Sequence, residues 1–159
     1  MSDPALRILH NDHCSVVATA GDLIVVRWRA KLELESSRRA MQAVEVGSTK
    51  SKRTAMIVVS DRGVGAPESA IRDELSKGLT QMNDRFSAGA IVVSDEGFVA
   101  ASVRAALTGM ILVVRQPYPL KIVTTLAEAV VFLRSKVPGL PSERDLLAMA
   151  QQVTSLPVR

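Results

Sequence analysis

The chain has 159 residues, of which 47% are hydrophobic and 23% charged, a composition that excludes a disordered polypeptide and suits one folded domain. The net charge of +4 comes from 20 basic and 16 acidic residues that are interspersed, and aromatic residues make up only 3%. Side chains that could stack on bases are therefore scarce, and the charge pattern favours a soluble surface over a nucleic-acid site.

The cellular compartment is constrained by one cysteine and by the first residues. A single cysteine, Cys14, excludes an internal disulfide and fits a reducing compartment. The start, Met1-Ser2-Asp3-Pro4, lacks the pattern of a signal peptide, and no run of about 18 apolar residues is evident. We expect a cytoplasmic protein without a membrane span.

The first predicted elements form a β-hairpin followed by a helix and a strand. Two apolar runs, Ser15–Thr19 and Leu23–Trp28, are joined by a short Gly-Asp turn. A helix is predicted from about Leu34 to Val46, and the next strand is Ala55–Ser60.

The middle of the chain repeats the strand–helix alternation. Pro67 is predicted to open a helix, whose apolar stripe has helical spacing: Ile71, Leu75, Leu79 and Met82. A second central strand, Ala90–Ser94, follows. Neither central strand, Ala55–Ser60 or Ala90–Ser94, shows an alternation of apolar and polar residues. We therefore expect the two strands to be parallel and buried on both faces.

The next helix is predicted from about Phe98 to Thr108, because Gly109 is expected to end it. Met110–Val114 would then be a short strand or an extended loop. Another strand is predicted at Lys121–Thr124.

Two capping patterns mark the last helices. Thr125 stands three residues before Glu128, and Ser142 three residues before Asp145. The final helix, which runs to about Val153, has an apolar side that we expect to pack on the sheet or across a dimer interface.

This order predicts an α/β fold, with an N-terminal β-hairpin, a mostly parallel sheet with alternating helices, and an extra C-terminal helix. We divide the chain into a lead-in (residues 1–13), an α/β domain (14–137) and a C-terminal helical appendage (138–159).

The arrangement resembles the STAS family, the fold of bacterial anti-sigma-factor antagonists. The resemblance covers Cys14 to Val137 and is carried by the strand Leu23–Trp28, the strand Ala55–Ser60 with its serine-bearing turn, and the segment Thr124–Val130. It implies a regulatory module that works by binding another protein.

A phosphorylation switch is the part of this resemblance that the sequence matches least. Signalling members carry an Asp-Ser-Ser-Gly motif after the central strand, with a phosphorylatable serine at the helix start. The corresponding stretch, Ser60 to Ser69, lacks that motif. Ser69 is the nearest positional equivalent and is the implied switch residue.

An internal near-repeat gives the other candidate site. Ile57–Gly63 is echoed by Ile91–Gly97, and each copy ends a strand with Ser-Asp. If the two strands are parallel neighbours, the four polar residues gather at the edge where α/β proteins bind ligands: Ser60, Asp61, Ser94 and Asp95. They either face a partner or only stabilise the turns.

Metal and catalytic sites find less support. His10, Asp12, His13 and Cys14 include metal-ligand types, but neighbours on an extended segment point in opposite directions, so we predict no metal site. No nucleophile–base pairing is recognisable, and we predict neither an enzyme nor a cofactor.

Three hypotheses remain open. The first is a STAS-like regulatory or scaffolding module whose partner is another protein, with a homodimer or a higher homo-oligomer possible. The second is a pocket for a small apolar molecule or lipid, since lipid-carrier domains share a related layout. The third is an unrecognised enzyme acting at the Ser-Asp turns.

Overall fold

Six strands form one sheet in the computed structural model, which describes residues 5–48 and 54–159. They lie in chain order across the sheet. The bounds are β1 Arg7–Asn11, β2 Ser15–Ala20, β3 Leu23–Trp28, β4 Thr54–Ser60, β5 Phe86–Val93 and β6 Leu120–Val123. β1, β2 and β3 pair antiparallel, whereas β3 to β6 pair parallel. The predicted α/β class, the hairpin and the parallel pairing of the two central strands are confirmed.

Within the described residues, five helices cover the two faces of this sheet. Their bounds are α1 Leu34–Gly47, α2 Ser69–Gln81, α3 Gly97–Val114, α4 Leu126–Lys136 and α5 Glu143–Thr154. Alternate residues of each central strand point to opposite faces: Val25 and Ile57 pack beneath α4 and α5, while Ile24 and Met56 pack beneath α1 and α2. This double burial explains why the central strands show no polar alternation.

The edge strand β1 was not predicted. Residues 1–13 were expected to precede the sheet, but Arg7–Asn11 pairs with β2, with an irregularity between Ile8 and His10. Its side chains are only half-buried or exposed. Backbone hydrogen bonds therefore hold this strand in the sheet. Because few of its side chains are buried, its sequence lacks the apolar pattern by which a strand is recognised.

Two helix boundaries differ from the prediction. α3 continues through Gly109 to Val114, because Met110 and Val114 bury their side chains on the sheet side of the same helix. The helix ends instead at Arg115, whose φ of 48° is left-handed. α2 begins at Ser69, so Pro67 lies two residues before the helix rather than in its first turn.

The C-terminal helix packs on its own sheet, as expected. Leu146, Ala150 and Val153 of α5 are fully buried in the cluster that β2, β3 and α4 share. Both predicted caps form: the Thr125 hydroxyl accepts from the Glu128 N–H (3.2 Å) and the Ser142 hydroxyl from the Asp145 N–H (3.1 Å).

Candidate functional site

The two Ser-Asp pairs lie side by side at one edge of the sheet. Ser60 pairs with Val93 in the parallel register, and the N–H of Ser94 donates to the carbonyl of Ser60 over 3.2 Å. Helices that follow parallel strands begin at this edge, so the first residues of α2 and α3 lie there too. This edge is the candidate site.

Asp61 is held by an arginine of the neighbouring strand. The guanidinium of Arg27 donates through Nε (3.0 Å) and Nη2 (2.7 Å) to Oδ2 of Asp61, and both side chains are mostly buried. Arg27 also reaches the carbonyl of Leu156 at 3.4 Å, beyond the end of α5. The carboxylate of Asp61 therefore joins its own turn to β3 and to the C-terminal segment.

Asp95 has the corresponding position in the second copy of the repeat. Its Oδ1 accepts the backbone N–H of Gly63 over 2.8 Å. Its Oδ2 is buried and has no hydrogen-bond partner among the described residues. Gly63 and Gly97 have positive φ values of 89° and 63°, so the repeated glycines allow the same left-handed turn in both copies.

A groove of about 430 Å³ opens beside Asp95. It is formed by the ends of β5 and β6 and the first turns of α3, and it includes Arg104 and Thr125. Its volume falls in the usual range for ligand sites, roughly 300–1,000 Å³.

Ser69 is exposed and is the first residue of α2. The preceding residue, Glu68, makes an exposed ion pair with Lys31 at 3.2 Å. Glu68 is the N-cap residue of α2, so its carboxylate stands at the positive end of the helix, while the first turn itself carries no acidic residue. This is the placement expected for the implied switch serine; its role stays a prediction.

The feature that sequence reasoning missed is the outer side of α3. Phe98 is 88% exposed, Leu112 70% and Val113 76%. We call the exposed line from Phe98 through Ala105 to Leu112 the α3 face. The missed signal was the mostly apolar composition of Gly97–Val114, whose only charged residue is Arg104.

The length of α3 also corrects an earlier expectation. The predicted break at Gly109 concealed an apolar stretch of 18 residues with a mean hydropathy of 1.9, which by length and composition alone could cross a membrane. In the fold, Ala100, Val103, Met110 and Val114 bury one side of α3 on the domain. The absence of a membrane span remains a prediction.

The turn between β1 and β2 brings potential metal ligands closer than expected. The ligand atoms of Asp12, His13 and Cys14 lie within 4.8 Å of one another, because these residues form a turn rather than an extended segment. The reasoning that they diverge was therefore wrong.

The atoms of this turn already have protein partners. Asp12 accepts hydrogen bonds from the N–H groups of Cys14 and Ser15 and from the Ser36 hydroxyl, each at 2.8 Å. Burial opposes the charged form, but these bonds outweigh it and lower the pKa of Asp12. Burial raises the pKa of the Cys14 thiol, with a further contribution from Glu33. A protonated thiol is a poor metal ligand, so the contacts favour a structural turn.

The sequence matches no protein-family model, and the comparisons with curated proteins and with solved structures give no match either. The resemblance to the STAS family therefore rests on the residues that carry it, and function must be inferred from the site.

Proposed function

We propose that this chain is a non-catalytic, STAS-like regulatory or scaffolding module that binds another protein through the α3 face. The observation that carries this proposal is the exposure of Phe98, Leu112 and Val113 on one uncharged side of a helix. Large apolar side chains left exposed along one side of a helix are typical of interaction sites in soluble proteins.

The apolar side chains of the α3 face supply part of the energy that a specific complex needs. Full burial of a large apolar side chain contributes about 1.5–3 kcal/mol, so three such side chains contribute roughly 5–9 kcal/mol before the cost of association. A micromolar complex requires a net value of about 8 kcal/mol. The α3 face therefore supplies the centre of an interface, to which the polar edge around it adds contacts.

The carboxylates of the site support binding rather than catalysis. Asp61 is engaged by Arg27, and Asp95 accepts from Gly63, so both stabilise turns. His10 lies in β1, three strands from β4, which corresponds to roughly 14 Å at about 4.8 Å per strand. That separation is too large for a hydrogen bond between His10 and the Ser-Asp turns.

The implied switch is compatible with this arrangement. Ser69 and Phe98 belong to helices that start at the same edge of the sheet. A phosphate on Ser69 would be favoured by the N-terminus of α2 and would place negative charge beside the binding edge. Phosphorylation would then change the affinity for the partner.

The lipid-carrier alternative needs an apolar cavity inside the domain. An apolar space of about 80 Å³ lies between the sheet and α1, α2 and α3, with Met41, Met56 and Met110 in its lining. An engineered apolar cavity that holds benzene is larger, at about 150 Å³. A lipid would require these helices to separate, so the volume favours the protein-binding proposal.

The proposal is tested by charging the α3 face and measuring binding to a partner. The double variant Phe98→Asp, Leu112→Asp should lose at least tenfold in affinity for a partner first captured from cell extract and then purified. The matched control is Val46→Asp on α1, where the side chain is 72% exposed and lies outside the α3 face. Equal affinities for the double variant and the wild-type chain would contradict the proposal.

A further inference from the structure

Residues seven apart on α3 define the centre of its exposed side. Seven residues are nearly two helical turns, so Phe98, Ala105 and Leu112 return to within about 20° of one line. This line is opposite the side chains that α3 buries on the sheet. Phe98 and Leu112 each stand seven residues from Ala105, one on either side.

On the exposed side of α3, residues at equal distances before and after Ala105 have similar side chains. Toward the C-terminus the exposed positions carry a hydroxyl, a small side chain and a large apolar one: Thr108, Gly109 and Leu112. Toward the N-terminus the same order recurs in Ser102, Ala101 and Phe98. A surface with this pattern is complementary to itself when it is turned by 180° about an axis through Ala105.

We infer, building on the proposed function, that the α3 face binds a second copy of this chain, with the two α3 helices antiparallel across a twofold axis at Ala105. Phe98 then packs beside the second copy's Leu112, and Ala101 beside the second copy's Gly109. The small residues at the centre let the helix axes approach to the short end of the usual 8–10 Å range.

Charge on the α3 face does not oppose self-association. Glu96, at the start of α3, is already paired with Arg62 of its own chain at 3.3 Å. The exposed line from Phe98 to Leu112 carries no charge, which limits repulsion between two chains of net charge +4.

The available contact indicates a reversible dimer. α3 has 18 residues and is therefore about 27 Å long. The spacing of three, four and seven residues predicts a shallow crossing of about 20°, which keeps the helices in contact along their length. Val113, which is exposed beside this line, widens the contact toward the roughly 800 Å² per protomer of a standard interface.

Disulfide cross-linking tests the pairing residue by residue. The native thiol is buried, so the experiment starts from a Cys14→Ala background. Oxidation of Ala105→Cys should give a covalent dimer. A mixture of Ser102→Cys and Thr108→Cys chains should also cross-link, whereas Ser102→Cys alone should not, because its two copies lie about 9 Å apart along the axis. Val46→Cys is the control for random collisions.

Sedimentation equilibrium gives the second readout. The wild-type chain should approach twice the monomer mass as concentration rises, Ala105→Glu should stay monomeric, and Val46→Glu should behave as wild type. Circular dichroism should show that all three variants are folded. Self-cross-linking of Ser102→Cys as efficient as that of Ala105→Cys would overturn the antiparallel arrangement.

The proposed function and this inference can fail separately. A wild-type chain that stays monomeric at every concentration, while its α3 face still binds a different protein, overturns the second-copy assignment and leaves the proposed function intact. A monomer that sediments with phosphatidylglycerol vesicles through Phe98 would assign the face to a membrane and overturn both.

Discussion

The backbone N–H of Gly63 donates to Oδ1 of Asp95 over 2.8 Å, and this bond connects the turn after β4 to the turn after β5. Asp61, the corresponding aspartate of the first copy, likewise contacts the strand before its own, because it binds Arg27 of β3. The repeat therefore fixes the edge on which α2 and α3 begin.

Asp95→Ala should free the Gly63 amide and lower the free energy of unfolding by about 0.5–1.5 kcal/mol, the usual net contribution of one hydrogen bond. Amide hydrogen exchange of Gly63 should accelerate at the same time. Asp95→Asn is the matched control, because its amide oxygen still accepts a hydrogen bond. Unchanged exchange at Gly63 in the alanine variant would show that another group holds this turn.

Arg27 and Asp61 should be energetically coupled. A double-mutant cycle with Arg27→Ala and Asp61→Ala, measured by urea unfolding, should give a coupling of about 1–3 kcal/mol, since the pair is mostly buried and charge-assisted. The exposed pair Arg62 and Glu96 is the control, and its coupling should stay below about 1 kcal/mol. Equal couplings in the two cycles would argue against a special role for Arg27.

The C-terminal helix should contribute to the stability of the whole domain. Leu146 is a fully buried residue of α5, so Leu146→Ala should lower the free energy of unfolding by about 2–5 kcal/mol. Leu147 is only half-buried, and Leu147→Ala should cost less than half as much. Similar losses for the two variants would mean that α5 does not pack as described.

The sequence predicted strands β2 to β6 and each of the five described helices, with α3 too short, because buried parallel strands and capped amphipathic helices leave strong patterns. It did not predict β1, since backbone hydrogen bonds hold Arg7–Asn11 and few apolar side chains mark it. It divided α3 at Gly109, because a glycine often ends a helix, whereas here Met110 continues the buried side. The α3 face was missed because the predicted break at Gly109 shortened the helix. The proximity of Ser60 and Ser94 was predicted, because parallel pairing of β4 and β5 is enough to bring them together.

Tyr118 should make stability fall in alkaline solution. Its ring packs edge-to-face on Phe86, and its hydroxyl has no hydrogen-bond partner among the described residues. Burial raises the pKa of Tyr118 from 10.0 to about 12. The unfolded chain therefore loses this proton first, so the stability that the neutral ring contributes is complete below pH 10 and is lost as pH rises toward 12.

Tyr118→Phe removes the titrating group and tests this account of alkaline stability. The difference in unfolding free energy between the variant and the wild-type chain should be constant from pH 7 to about 9 and should grow in favour of phenylalanine above pH 10. At neutral pH the variant should be at least as stable as the wild-type chain, because an unpaired buried hydroxyl is removed. A difference that stays constant up to pH 12 would show that Tyr118 is accessible to water.

Hydroxyl-radical labelling of Phe98 tests the central claim, that the α3 face is where this chain binds protein. Phe98 is 88% exposed in the single chain, and Phe132 of α4, which is half-buried on the opposite face, is the internal reference. Labelling of Phe98 should fall severalfold relative to Phe132 when the chain is concentrated or bound to a purified partner. Labelling of Phe98 that stays constant while the chain is demonstrably bound would contradict the claim.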